Sequence, residues 1–242
     1  MSTHLNIHWP HAPHVRSVVT YRTGGESPEP FNCFNLATHV GDDPACVTLN
    51  RKRLMQATSM PSEPLWLNQS THSATVIHAS DYDPQAPVDG IWTTEPNTVL
   101  SILTADCLSL LFYQPSTQAI AACHAGWRGL TQHIIPATLN ALPGPASDTW
   151  VWVGPCIGEE HFEVDGSVAT QLYHSIQGLP PHTGLQTVNL KHIARQQLIH
   201  SGVSHYRLDP RCTVNHHTTL FSYRKAQSNI TGRFASCIWL AS

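Results

Sequence analysis

The sequence lacks the features of a membrane, secreted or nucleic-acid-binding protein. No apolar run approaches the roughly 18–20 residues that cross a bilayer, and the N-terminus has no basic start followed by an apolar stretch. Thirteen Lys and Arg against sixteen Asp and Glu leave a net charge of −3, so no basic excess is available for nucleic acid. We therefore expect a cytoplasmic protein with neither a membrane nor a nucleic-acid partner.

Paired cysteine and histidine motifs are also missing. The chain has seven cysteines without a C-x-x-C pair and 17 histidines without an H-x-H pair. In a reducing compartment, most of these cysteines are expected to be buried apolar side chains. A multicopper oxidase would need many more histidines in H-x-H pairs, which disfavours copper redox chemistry.

Charge is sparse, at 12% of residues, while 41% are hydrophobic, enough for a packed core. Apolar and β-branched runs predict strands over 15–22, 65–68, 75–79, 99–103, 108–113, 119–124, 150–153, 204–208 and 234–240. Capped or periodic segments predict helices over 44–58, 130–142, 167–176 and 190–201. Because this order lacks the regular alternation of a doubly wound sheet, we predict one α+β domain with a mixed sheet over residues 1–242.

Three segments, 67–72, 104–107 and 123–129, carry polar residues at positions where a hydrophobic core would have apolar ones. In the last two, the polar residues come at the end of apolar strands. Together, His72, Cys107 and His124 offer two imidazoles and a thiolate. Three protein ligands of this kind hold a catalytic zinc ion and leave its fourth position open. Such an ion lowers the pKa of bound water to about 7. Since 17 histidines allow many such triples, the spacing leaves other interpretations open.

Two alternatives to a zinc site use the same residues, and the sequence can also be checked for the motif of zinc-dependent deaminases. Cys107 is a possible nucleophile with His124 as its base and Asp106 as an orienting group. Two histidines and a cysteine also make a blue-copper site. The H-x-E of zinc deaminases is matched at 161–163, but no P-C-x-x-C follows, which excludes that class. We expect His161 and Glu163 to lie in a surface turn.

Arginines beside glycine, aromatic or hydroxyl residues are candidates to bind phosphate or carboxylate, because guanidinium presents a planar fork to these groups. They are Arg22, Arg128, Arg224 and Arg233. An ordinary surface ion pair is the alternative for each of them.

Ordered motifs run along nearly the whole chain. They are RTGG at 22–25, FNL at 34–36, HVGD at 39–42, NR at 50–51, TADCL at 104–108, HAGWRG at 124–129, GPCIG at 154–158, FEV at 162–164, FSYR at 221–224 and TGRFAS at 231–236. From about residue 14 to 240 the sequence resembles the bacterial laccase-domain proteins, once labelled polyphenol oxidases and later assigned purine nucleoside phosphorylase activity.

This resemblance implies a fold related to cysteine-hydrolase-like toxin domains and a zinc ion on His72, Cys107 and His124. It implies phosphorolysis of adenosine, inosine, guanosine and methylthioadenosine, and deamination of adenosine. With it, we assign catalysis to His72, Asp106, Cys107 and His124, and substrate or phosphate binding to Arg22, Asn35, Arg128, Tyr223 and Arg224. Family members linked to editing of peptidoglycan precursors support a Cys–His hydrolase as the alternative, and a non-enzymatic metal-binding protein is the other.

The sequence departs from the family pattern before His72. The family has one residue between Gln and His and a Gly after the His, whereas here Ser70 and Thr71 separate Gln69 from His72, and Ser73 follows. An extra residue of this kind can be absorbed as a bulge that still directs the imidazole inward.

Overall fold

Strands and helices alternate irregularly over residues 3–176 and 184–242, the parts of the chain that this computed structural model describes. The strands are β1 His4–Asn6, β2 Val15–Thr20, β3 Leu65–Trp66, β4 Val76–His78, β5 Gly90–Thr93, β6 Leu100–Thr104, β7 Leu108–Gln114, β8 Ala119–Ala125, β9 Trp150–Val153, β10 Glu163–Asp165, β11 Leu185–Thr187, β12 His205–Leu208 and β13 Phe234–Leu240. The helices are α1 Pro44–Thr58, α2 Trp127–Thr131, α3 Ile134–Ala141, α4 Gly166–His174 and α5 Leu190–His200. The prediction of a mixed α/β fold is confirmed. Among these helices, none is both long and apolar enough to cross a membrane.

Two sheets pack face to face around a common core. One has the strand order β1-β2-β13-β6-β3 and the other β12-β9-β7-β8-β5-β4, while β10 and β11 form a separate pair. Fully buried side chains from both sheets meet in one cluster that includes Ile91, Ile102, Leu111, Ile120 and Ile238. The two sheets therefore share one core, while the single domain over residues 1–242 stays a prediction.

Helices α2 to α5 cover the outer face of the second sheet. Their apolar residues, such as Leu130, Ile134 and Leu172, pack against side chains of β7 and β8. Because β7 and β8 are covered on both faces, all their residues are buried and the sequence shows continuous apolar runs instead of alternation. Cys123 lies in this layer, and burial raises the pKa of its thiol to about 12, as expected for an apolar core cysteine.

Helix α1 begins where the sequence predicts. Asp43 caps it by accepting a hydrogen bond from the Ala45 amide at 2.8 Å, and Pro44 occupies the first turn. By contrast, the helix predicted over 130–142 is divided into α2 and α3. Pro136 has no amide hydrogen to donate to the carbonyl four residues earlier and its ring crowds that carbonyl, so the helix breaks, with His133 at a left-handed φ of 61°.

The short strands β3 and β4 lie within predicted segments, but four other short strands were not predicted. β1, β10 and β11 have three residues each, too few to show alternation, and β5 begins at Gly90. We predicted that His161 and Glu163 lie in a surface turn, and for Glu163 this was wrong. Glu163 lies in β10 and pairs with Thr187 of β11.

Two buried asparagines hold the long connection between β2 and α1. Asn50 of α1 accepts from the Glu26 amide at 2.8 Å and donates to the Asn35 carbonyl at 2.9 Å. Asn35 donates to Asp42 Oδ2 at 2.8 Å, and its Oδ1 accepts from the Arg233 amide at 2.9 Å. These bonds join the connection both to α1 and to the segment that precedes β13.

Replacing Asn50 by Ala should therefore lower the free energy of unfolding by about 2–3 kcal/mol, because several buried polar groups lose their partners. Urea unfolding followed by tryptophan fluorescence measures the change. Lys52→Ala, at an exposed position of the same helix, is the matched control. An Asn50→Ala effect no larger than that of the control would contradict this account.

Candidate active-site cleft

A cleft of about 1200 Å³ opens beside the turn 105–107, where the chain passes from β6 in the first sheet to β7 in the second. Its volume exceeds the usual range of about 300–1,000 Å³ for small-molecule sites. Residues distant in the sequence line it, among them His72, Cys107, His124, Trp127, Arg128 and Arg233.

His124 occupies the end of β8 and is held by a buried carboxylate. Its Nδ1 lies 2.8 Å from Oδ1 of Asp89, and its backbone amide donates to the Asp89 carbonyl at 2.7 Å. The Asp89 side chain is completely buried beside β5, and that of His124 nearly so. The Nδ1–H group donates its hydrogen bond to this carboxylate, so Nε2 is the ring nitrogen left to face the cleft.

Cys107 lies near this exposed side of His124, and Gly126 is next to both side chains. A Cβ atom at Gly126 would lie 3.1 Å from the Cys107 Sγ, a tight approach, and 3.5 Å from the His124 Nε2, an ordinary contact. A larger residue at this position would therefore press on the Cys107 sulfur.

The His72 ring lies next to that of His124, with the two centroids 5.3 Å apart and the planes inclined by 51°. Gln69 stays aligned with β6 through two hydrogen bonds to Leu103, of 2.9 and 3.0 Å. The extra residue is taken up after Gln69, where His72 has a left-handed φ of 50°. The Ser73 amide then donates to Oδ2 of Asp89 at 2.6 Å. The insertion thus forms a turn rather than a strand bulge, and Asp89 anchors both histidines.

Within residues 3–176 and 184–242, two groups of three residues each bring their ligand atoms within 4.8 Å of one another. One group is His72, Asp89 and His124, and the other is Glu160, His161 and Cys212. In the first group, Asp89 already bonds His124 and Ser73, as a carboxylate does behind a histidine ligand. The Cys107 thiol belongs to neither group, but it lines the cleft together with the two imidazoles. Zinc binds such nitrogen and sulfur donors.

The two histidines differ in protonation. Burial, the nearby His124 and Arg128 lower the pKa of His72, against the opposing charge of Asp89. Burial also acts to lower the pKa of His124, but its hydrogen bonds to Asp89 and Cys107 outweigh this and raise it to about 9. At neutral pH, without a metal, His124 therefore carries a proton that a metal ion must displace, so metal affinity should rise with pH.

Asp106 has a different role from the predicted one. It adopts a left-handed φ of 95°, and its carboxylate accepts hydrogen bonds from the Thr213 hydroxyl and, at 2.7 Å, from the Arg224 amide. The group that orients His124 is Asp89, which corrects the assignment of that role to Asp106. Asp106 instead fixes the turn that presents Cys107.

Two predicted binding residues are not among those that line the cleft. Arg22 donates to the carbonyls of Asn32 and His217, at 2.9 and 2.8 Å, and packs over the Phe221 ring. Asn35 is fully buried in the connection before α1. Both side chains contact other parts of the protein, and their assignment to substrate or phosphate stays a prediction.

The other predicted binding residues do line the cleft. The Arg128 guanidinium lies 4.3 Å from the centroid of the half-buried Trp127 ring, and Tyr223 is exposed. Arg224 donates to the His161 carbonyl at 2.7 Å, which directs part of its guanidinium away from any ligand.

Sequence reasoning missed Asp89. The available signal was an acid between Val88 and Gly90 at the start of a short apolar segment. Because β5 was not predicted, nothing indicated that this acid lies inside a sheet next to β8.

The raised pKa of His124 makes the stability of the metal-free protein depend on pH. Protonation of this residue stabilises the fold fully below about pH 6.5, and the stabilisation is lost as pH rises through about 9, a change of about 3 kcal/mol. Urea unfolding in chelator from about pH 6 to about pH 10 measures it. His124→Gln should remove this part of the slope, and an unchanged slope in that variant would show that another group is responsible.

The whole chain is similar to proteins of known family. The model of the family described as multi-copper polyphenol oxidoreductase laccase matches residues 16–241. A protein of Pseudomonas aeruginosa named purine nucleoside phosphorylase is 38% identical over 248 residues, covering 99% of both chains. Purine nucleoside phosphorylase YfiH of Escherichia coli is 35% identical over 246 residues, covering 99% of this chain and 100% of the other.

Two solved structures share the architecture. Protein NMB0706 of Neisseria meningitidis superposes with a TM-score of 0.89 at 33% identity over 100% of both chains. YlmD of Geobacillus stearothermophilus gives a TM-score of 0.92 at 29% identity, covering 100% of this chain and 97% of the other. The chain therefore belongs to the laccase-like polyphenol oxidoreductase family, whose relatives here include proteins named purine nucleoside phosphorylase.

Proposed function

We propose that this chain is a zinc-dependent purine nucleoside phosphorylase that also deaminates adenosine. The observation that carries the proposal is the arrangement around His124: Asp89 behind it, with Cys107 and His72 beside it in the cleft. The names of the full-length relatives point to the same substrates. Its substrates are then adenosine, inosine, guanosine and methylthioadenosine, together with inorganic phosphate.

In this proposal His72, Cys107 and His124 hold the zinc ion. When bound, zinc supplies hydroxide near neutral pH and a positive charge close to the substrate. Asp89 keeps the proton of His124 on Nδ1, which leaves Nε2 free to bind the metal. Asp106 fixes the turn that carries Cys107, so the cysteine sulfur is placed before any metal arrives.

The walls of the cleft provide for the nucleoside. The flat pair formed by Trp127 and Arg128 suits a purine base, since aromatic rings and guanidinium groups both stack on bases. In phosphorolysis a phosphate oxygen bonds to C1′ as the C1′–N9 bond breaks. The purine leaves with the electron pair and takes up a proton, and the arginines of the cleft balance the charge of the phosphate.

Replacing Cys107 by Ala should abolish phosphate-dependent nucleoside cleavage while the protein stays folded. Cys107 lies at the cleft surface, so its truncation removes a metal ligand without opening an internal cavity. Turnover with and without phosphate, zinc content and melting of the metal-free protein are the measurements.

Cys123→Ala is the matched control, because the Cys123 side chain is completely buried. It should lower stability by about 1 kcal/mol or more through a cavity and keep activity per folded molecule. If Cys107→Ala instead melts well below the metal-free wild type and retains zinc and turnover, Cys107 is structural and the proposed site is wrong.

One observation favours a second candidate, a Cys–His hydrolase or amidase that acts on peptidoglycan precursors. Asp89 hydrogen-bonds to His124, and Cys107 lies beside that imidazole in the cleft, an order that matches the orienting acid, base and nucleophile of such enzymes. The likeness to cysteine-hydrolase-like toxin domains stays a prediction. Amide hydrolysis that survives complete metal removal would support this candidate, whereas the zinc-dependent proposal requires activity to fall with metal content.

Phenol oxidation, which the family description names, should be absent or marginal. The chain has no H-x-H pair, and each ligand group among the described residues contains at most two histidines. Oxygen uptake with phenols and added copper tests this directly. Robust copper-dependent oxidation of phenols by a homogeneous sample would contradict this prediction. If the metal-loaded protein turned over neither nucleosides, amides nor phenols, metal binding alone would remain as its function.

A further inference from the structure

Three basic side chains line the same cleft, and none of them has yet been given a particular role. His39 precedes α1, Arg51 lies on α1, and Arg233 precedes β13. Each belongs to a separate sequence motif, at 39–42, 50–51 and 231–236. The fold therefore brings two arginines and a histidine from distant parts of the chain into the same cleft.

Arg233 is placed rigidly and lacks an acidic partner. Its amide donates to Asn35, and its Nη1 donates to the carbonyls of Thr231 and Gly232 at 2.9 and 3.1 Å. Among the described residues it forms no salt bridge. Burial lowers its pKa, and the charges of Cys107, Asp106 and Tyr223, which line the same cleft, act in the opposite direction.

Arg51 is fixed in a similar way. Its Nε and Nη2 both donate to the Leu36 carbonyl, at 3.0 and 2.9 Å, and its guanidinium lies 4.2 Å from the Trp66 ring centroid. The remaining nitrogen, Nη1, has no hydrogen bond to the part of the chain that the structure describes. The exposed carboxylate of Glu63 offsets part of its charge.

His39 lies within the electrostatic reach of both arginines. Burial lowers its pKa, and the charges of Arg233 and Arg51 lower it further. Like charges held together at a cleft wall repel one another and raise the local concentration of anions. The guanidinium fork is also the group that best matches phosphate oxygens.

We propose that Arg233, Arg51 and His39 form the subsite that binds inorganic phosphate, the second substrate of the reaction. This assignment rests on the proposed phosphorolysis. It places the phosphate in the same cleft as the proposed zinc ligands. Arg22, which the sequence favoured for this role, is occupied by backbone carbonyls.

The test is direct binding of inorganic phosphate to the metal-loaded protein by titration calorimetry, together with the KM for phosphate and for inosine. Arg233→Met and Arg51→Met should each weaken phosphate binding and raise the phosphate KM by about tenfold or more, with little change in the inosine KM. Arg233→Lys keeps the positive charge but not the planar guanidinium fork, so it should lose less phosphate affinity than Arg233→Met. Melting and zinc content confirm that each variant is folded.

Arg16→Met is the control, since it removes one positive charge from the exposed face of β2, outside the cleft lining. Unchanged phosphate binding in both Arg233→Met and Arg51→Met would overturn the subsite. The subsite would also be overturned if these variants lost binding of a nucleoside 5′-monophosphate such as AMP but kept binding of inorganic phosphate. Phosphate binding that depends on Arg233 in a protein that cleaves no nucleoside would support the subsite and overturn the proposed phosphorolysis.

Discussion

The hydrogen-bonded pair of Asp89 and His124 is the interaction on which the site depends. Both side chains are buried, so neither is solvated well without the other, and losing one partner of such a pair destabilises a protein by about 3–5 kcal/mol. Through its second oxygen, Asp89 also holds the backbone that follows His72. One carboxylate inside the second sheet thus sets the direction of one imidazole and the position of the other.

A second constraint comes from the short turn between the sheets. Residues 105–107 carry the chain from β6 to β7, and Asp106 adopts a left-handed φ that a non-glycine residue avoids. Hydrogen bonds from Thr213 and Arg224 to its carboxylate, and from the Ile157 amide to its carbonyl, keep this conformation. The turn brings Cys107 against His124, and Gly126 leaves room for it. The chemistry of the cleft is therefore built on the junction of the two sheets.

Local patterns predicted much of the fold but less of the site. The capped start of α1 and the apolar runs of β7 and β8 were visible because their causes lie within a few residues. The break between α2 and α3 had a local signal in Pro136, which helical periodicity concealed. The partners of Asp89, Arg22 and Asn35 lie far away along the chain. Nothing near Arg22 in the sequence shows that backbone carbonyls occupy its donors, and nothing near Asp89 shows that His124 lies beside it.

The central claim is that the metal ligands are His72, His124 and Cys107, with Asp89 behind His124 rather than on the metal. X-ray absorption at the zinc edge of the loaded protein tests this directly. The account predicts a sulfur neighbour at about 2.3 Å together with nitrogen at about 2.0–2.1 Å, and loss of the sulfur signal in Cys107→Ser. A first shell of nitrogen and oxygen alone, unchanged by Cys107→Ser, would contradict it and make Asp89 the third ligand.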